Sequence, residues 1–91
     1  MEYPTEEQLK AIQKHSGSYI EILQLAREAF NESMGLFNQD GRRYRIATGG
    51  WSGNEDVIDA LEDSEGMFWA VCWQESKRGG AYQFEIPEGF S

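Results

Sequence analysis

Three stretches hold the residues best suited to chemistry. The first is Gly49-Gly50-Trp51-Ser52-Gly53-Asn54-Glu55, a glycine turn that carries a large aromatic and runs straight into a helical pattern. Its chemistry would be anion binding. The backbone N–H groups of Gly53, Asn54 and Glu55 are the free donors of a helix start. Gly53 leaves room for a close approach, and Trp51 offers a face on which a base can stack. The second stretch is Ser76-Lys77-Arg78-Gly79-Gly80, two cations on a glycine-rich connection. The third is Met67 to Gln74, an apolar run in which Trp69 and Trp73 share a side. An exposed patch with one or two tryptophans marks an interaction surface.

Each stretch also has a plain structural use. Ser52 with Glu55 three residues on reads as a capping box for the following helix. Glu55 and Asp56 would already answer the helix dipole and would repel an anion. The turn matches neither the dinucleotide fingerprint nor the P-loop. Trp51 can serve as a plug over the end of the core, and a helix crossing the tryptophan run can bury it. Both uses stay open at this stage.

Other chemistry is thinly represented. His15 is the only histidine and Cys72 the only cysteine, too few for the usual zinc site. Cys72 sits among aromatics and reads as a buried, inert thiol. Asp56, Asp59, Glu62 and Asp63 read as the solvated face of a helix. The expectation is a protein that is not an enzyme and uses no metal or cofactor.

The elements that must position these residues follow from periodicity. Thr5 and Gln8 form a capping box for a first helix with Leu9 and Ile12 inward, ending near His15 and Gly17. Ser18 caps a second helix, the longest, with Tyr19, Ile22, Leu23, Ala26, Ala29 and Phe30 on one face. It ends near Gly35, and Asn38-Gln39-Asp40-Gly41 reads as a turn. Arg43 to Thr48 alternates as a strand. Asn54 to Ser64 is a third helix with Val57, Ile58 and Leu61 buried. Met67 to Gln74 reads as a second strand, and Ala81 to Ile86 as a third. The order α-α-β-α-β-β gives one α+β domain over residues 1–91, a three-stranded mixed sheet with helices packed mainly on one face. The strand–helix–strand unit from Arg43 to Gln74 should be a right-handed parallel crossover. Parallel strands would bring the glycine turn and the Lys77–Arg78 hairpin to one end of the sheet.

Composition narrows the partners. With 40% hydrophobic and 26% charged residues among 91, the chain reads as an ordinary globular domain. A net charge of −8 argues against direct nucleic-acid binding and against an anionic membrane surface. One cysteine permits no internal disulfide. The acidic opening Met1-Glu2-Tyr3-Pro4 is no signal peptide, and no apolar run is long enough to span a bilayer. A cytoplasmic protein is expected.

The segments Tyr44 to Leu61, Met67 to Ile86 and Pro4 to Ile12 together resemble a family of small uncharacterised proteins of tailed bacteriophages and prophages. In that family a Thr-Gly-Gly-Trp-Ser-Gly-Asn-Glu core precedes a helix, followed by a Phe-Trp-x-x-x-Trp run and an Arg-Gly-Gly hairpin. The matching positions here are Thr48 to Glu55, Phe68 to Trp73 and Arg78 to Gly80. Ala47 and Ala81 depart from the usual polar residues. The resemblance implies a phage genome, a bacterial host cytoplasm and an accessory role. The leading expectation is therefore a non-enzymatic phage accessory protein that binds a host or phage protein. Its binding residues would be Gly49, Gly50, Trp51, Ser52, Gly53, Asn54, Lys77 and Arg78, with Trp69 and Trp73 at the interface. Homodimerisation through the tryptophan patch is the economical form of such an interface. The alternative is a binder of a small nucleotide-like anion at Gly49–Glu55.

Overall fold

The capping chemistry at the chain's start is realised in the structure, a computed structural model that describes residues 3–90. Thr5 Oγ1 accepts from the Gln8 N–H at 3.0 Å, and Gln8 Oε1 accepts from the Thr5 N–H at 2.9 Å. Helix α1 runs Glu6–Lys14 and buries Ile12. Ser18 Oγ then accepts from the amides of Ile20 and Glu21, opening α2, Tyr19–Ala29. Ile22, Leu23, Ala26 and Ala29 form its buried face, at the helical spacing that the sequence shows. This helix stops at Phe30 rather than near Gly35 and is no longer than α3, each having 11 residues.

Two hairpins build the sheet. Strands β1, Leu36–Asp40, and β2, Arg43–Ala47, pair antiparallel, with Asp40 opposite Arg43. Residues 38–40, expected as a turn, are therefore strand, and only Gly41-Arg42 turns. Phe37 is the single buried residue of β1, so the strand offers one apolar signal amid residues that also favour turns. Strands β3, Trp73–Lys77, and β4, Ala81–Glu85, form the second hairpin, with a bulge between Trp73 and Glu75.

Between the hairpins lie α3, Ser52–Glu62, and α4, Phe68–Cys72. The expected strand from Met67 to Gln74 is mostly α4. Phe68 and Cys72, four residues apart, are both fully buried, which is the helical period and not that of a strand. A continuous apolar run cannot announce its own period.

The sheet order is β1-β2-β4-β3, four strands with every neighbouring pair antiparallel. This corrects the expected three-stranded mixed sheet and its parallel crossover: β4 lies between β2 and β3. Because both flank β4 antiparallel, β2 and β3 still point the same way. Ala47, Ala81 and Lys77 thus fall in one row across the sheet. The glycine turn and the Lys77–Arg78 hairpin do share an end, by a different topology from the one expected.

The fold class is α+β. Phe37, Tyr44, Ile46 and Phe84 on one sheet face join the helices' apolar faces in one buried cluster. The opposite face is polar and exposed: Asn38, Asp40, Arg43 and Arg45 with half-covered Gln83 and Glu85. No described helix is long and apolar enough to cross a membrane.

Candidate functional site

The end of the sheet shared by the turn and the hairpin is tied by one buried residue. Thr48 follows β2 and is fully buried. Its N–H donates to the Gly80 carbonyl at 3.0 Å, and its own carbonyl accepts from the Trp51 N–H at 3.3 Å. Its Oγ1 accepts from the Gly50 N–H at 3.2 Å. Gly49 has φ +69°, and a Cβ there would collide with the Met34 carbonyl, so this position requires glycine on two counts.

Asn54 completes the joint from inside the first turn of α3. Its side chain is fully buried. Oδ1 accepts from the Asn31 N–H at 2.8 Å, and Nδ2 donates to the carbonyls of Asn31 at 3.1 Å and Thr48 at 3.2 Å. One amide thereby links the α2–β1 loop, the end of β2 and α3. Its donors and acceptor are used within the fold.

Two of the three amides expected to hold an anion, those of Asn54 and Glu55, are engaged at the helix start. The amides of Asn54 and Glu55 both donate to the Trp51 carbonyl at 3.1 Å. The six-membered ring of Trp51 lies over Gly53, where a Cβ would strike it. The close approach that Gly53 permits is taken by the chain's own indole. Tyr3 packs on the same ring, with centroids 4.7 Å apart. Trp51 is half-buried between Gly53 and Tyr3. The capping box at this helix is also corrected. Trp51 is the N-cap and makes no side-chain cap bond, while Ser52 is the first helical residue.

Lys77 and Arg78 lie at the hairpin, exposed. Lys77 Nζ is 3.8 Å from Glu75 Oε1. The end of β2 meets this hairpin backbone to backbone, through the Thr48–Gly80 bond. Two concavities lie on the open sheet face. One of about 470 Å3 is lined by Asn38, Asp40, Arg43, Arg45 and Glu85 among others, and one of about 220 Å3 by Arg45, Glu75, Lys77 and Tyr82 among others. None of residues 49–54 lines either. The charges here are matched. Arg43 pairs with Glu85 at 3.3 Å. Gln83, with its amide turned to suit its neighbours, donates to Glu75 at 3.2 Å and accepts from Arg45 at 3.3 Å. The alternating polar positions of the strands were the available sequence signal for this face.

Trp69 and Trp73 are brought together as expected, though by a helix–strand junction. Their rings stack 6.3 Å apart at 12°. Trp69 also meets Tyr82 edge-on at 5.9 Å and Phe84 at 5.4 Å. Trp73 Nε1 donates to Ser76 Oγ at 2.8 Å, and Trp73 remains 42% exposed. This pair flanks β3, an edge strand whose five residues are all exposed.

Two side chains, in β4 and α4, are shifted by their surroundings. Tyr82 is held above its ordinary value, first by burial and then by the negative charge of Asp59, Glu55 and Glu62. Burial pushes the Cys72 thiol up to about 11, which keeps it protonated and unreactive near neutral pH. His15 Nε2 lies 3.2 Å from the Ser18 carbonyl oxygen. No protein-family model, curated protein or solved structure matches the chain.

Proposed function

We propose that this chain acts by binding a protein partner along β3, without catalysis. The observation that carries this is the pairing of an exposed edge strand with a half-exposed tryptophan stack at one end and two cations at the other. An edge strand carries unpaired N–H and C=O groups that can take an added strand. Tryptophan and arginine are the residue types that most often anchor such contacts. A net charge of −8 supports a protein partner over nucleic acid or an anionic membrane. In the phage setting that the sequence resemblance implies, the partner is a host or phage protein in the bacterial cytoplasm, and the role is accessory.

The binding residues under this proposal are Trp69, Trp73, Lys77 and Arg78. Gly49, Gly50, Trp51, Ser52, Gly53 and Asn54 serve the joint that holds the hairpin in place. The test compares the native chain with the Trp73→Ala/Arg78→Ala double variant as immobilised bait for bacterial lysate. A protein retained by the native chain and lost from the variant, with an unchanged melting temperature, supports the proposal. Identical retention by both refutes it.

A further inference from the structure

The regular part of the β3 edge is short and charged. A bulge at Gln74 interrupts its start, and beyond it Glu75, Ser76 and Lys77 pair with Gln83, Tyr82 and Ala81 in unbroken register. Glu75 and Lys77 side with the open face of the sheet, and Ser76 sides with the helices. The Glu75 carboxylate is held in place across the sheet: Arg45 donates to Gln83 at 3.3 Å, and Gln83 donates to Glu75 at 3.2 Å. Its pair with Lys77, at 3.8 Å, is exposed and lies along one strand, so it contributes little and is readily exchanged. On the helix side, Trp73 Nε1 donates to Ser76 Oγ at 2.8 Å, which seats the half-exposed indole beside Ser76.

Resting on the edge-binding proposal above, we infer that the partner of β3 is β3 of a second copy of this chain, running antiparallel about a two-fold axis at Ser76, with Glu75 of each copy opposite Lys77 of the other. The pleat and the charges select this register. Residues directly opposite each other on neighbouring strands share a face of the sheet. A two-fold pairing of β3 with itself therefore centres on a residue. Centred on Glu75 it opposes two carboxylates, and centred on Lys77 two ammonium groups, each destabilising. Centred on Ser76 it makes two opposite-charge pairs at once, and Ser76 meets Ser76 on the helix side.

Other features agree with this contact. The two Trp73 indoles, each bonded to its own Ser76, flank the axis, where association removes apolar ring area from water. The chain's negative excess lies off this segment: from Trp73 to Gly80 two residues are basic, Lys77 and Arg78, and only Glu75 is acidic. The other edge of the sheet has no such match, since β1 carries a single charge, Asp40, and no cation. Two four-stranded sheets become one, and β3 ceases to be an edge in either copy. A contact from β3 to the β1 edge of the next copy would instead repeat head to tail without closing.

The test is sedimentation velocity at protein concentrations from about 1 μM to about 1 mM, the range suited to a contact this small. The samples are the native chain, Glu75→Lys, Lys77→Glu, the exchange variant Glu75→Lys/Lys77→Glu, and an equimolar mixture of the two single variants. Both positions are exposed, so the fold tolerates each change. The native chain should dimerise, and each single variant should do so at least about tenfold more weakly, because two like-charge pairs replace two opposite ones. Glu75→Lys lowers the net negative charge and Lys77→Glu raises it, so a loss in both excludes general repulsion as the cause. The exchange variant should recover the native dissociation constant within about threefold, and the mixture should associate where neither component does. A native chain that stays monomeric, single variants that dimerise as well as the native chain, or an exchange variant no better than the single ones would overturn the inference. The edge proposal is read separately: capture of a lysate protein by the native chain, lost with Trp73→Ala/Arg78→Ala, would leave it standing after any of these results, and capture indifferent to that variant would remove both.

Discussion

Replacing Asn54 by alanine should be the most damaging single polar substitution in this domain. The side chain is fully buried and makes three hydrogen bonds, to the Asn31 N–H, the Asn31 carbonyl and the Thr48 carbonyl. At about 1 kcal/mol net for each, the loss is about 3 kcal/mol. For a domain of this length the drop in melting temperature is roughly 12–24 °C. That is a large share of the 5–15 kcal/mol that typically holds a domain folded. Asn54→Asp adds a pH signature. The carboxylate keeps the bond from the Asn31 N–H but turns two donors into acceptors, facing the carbonyls of Asn31 and Thr48. Its neutral form is favoured in the fold, so its folded pKa should lie above the unfolded value of about 3.9. A raised folded pKa means that stability is fully present below the unfolded pKa and is lost as pH rises through the folded pKa. Asn54→Asp should therefore approach the native chain as pH falls toward 4, while Asn54→Ala keeps a constant deficit. Urea denaturation followed by tryptophan emission between pH 4 and pH 8 measures both. A deficit under about 1 kcal/mol for the alanine variant, or parallel pH profiles, would refute the role given to this amide.

Gly53→Ala should displace the Trp51 indole, costing about 1–3 kcal/mol, with a red shift of tryptophan emission as the ring leaves its seat. Gly49→Ala should destabilise by more than about 1 kcal/mol, through its positive φ and the Met34 carbonyl, whereas Gly50→Ala, with open space beside it, should report the backbone cost alone in the same melt. Tyr82 should titrate above 10.0 in an ultraviolet pH titration, and Glu55→Gln/Asp59→Asn/Glu62→Gln should lower that value by removing the repulsion of its phenolate. Cys72 should resist a thiol reagent at pH 8 in the native chain and react once urea unfolds it, since its folded pKa is about 11.

Local signals in this chain translated well into local structure. The Thr5–Gln8 box, the Ser18 cap and the alternation of Tyr44 and Ile46 each depend on neighbours in sequence, and each is present. Long-range order was less legible. Nothing within β3 or β4 states that β4 pairs with β2, so the parallel crossover was the natural reading of strand, helix, strand. Trp69 and Trp73 illustrate a subtler ambiguity. A spacing of four puts two residues on one side of a helix and of a strand alike, so their proximity was legible while the element between them was not. At the glycine turn, Gly53 signalled a close approach but not its occupant. The missing fact was the direction of the Trp51 ring, which lies over Gly53 with Tyr3 packed on it.

The arrangement of the two hairpins has a kinetic consequence. Each closes through a short turn, so β1 finds β2 and β4 finds β3 with little chain to organise. Within the sheet, the central seam, where Tyr44 faces Phe84 and Ile46 faces Tyr82, joins strands distant in the chain, with α3 and α4 strung between. The entropic cost of assembling the sheet falls on that seam. Side chains along it should govern how fast the sheet forms, while those in the hairpin turns chiefly govern how fast each ribbon opens.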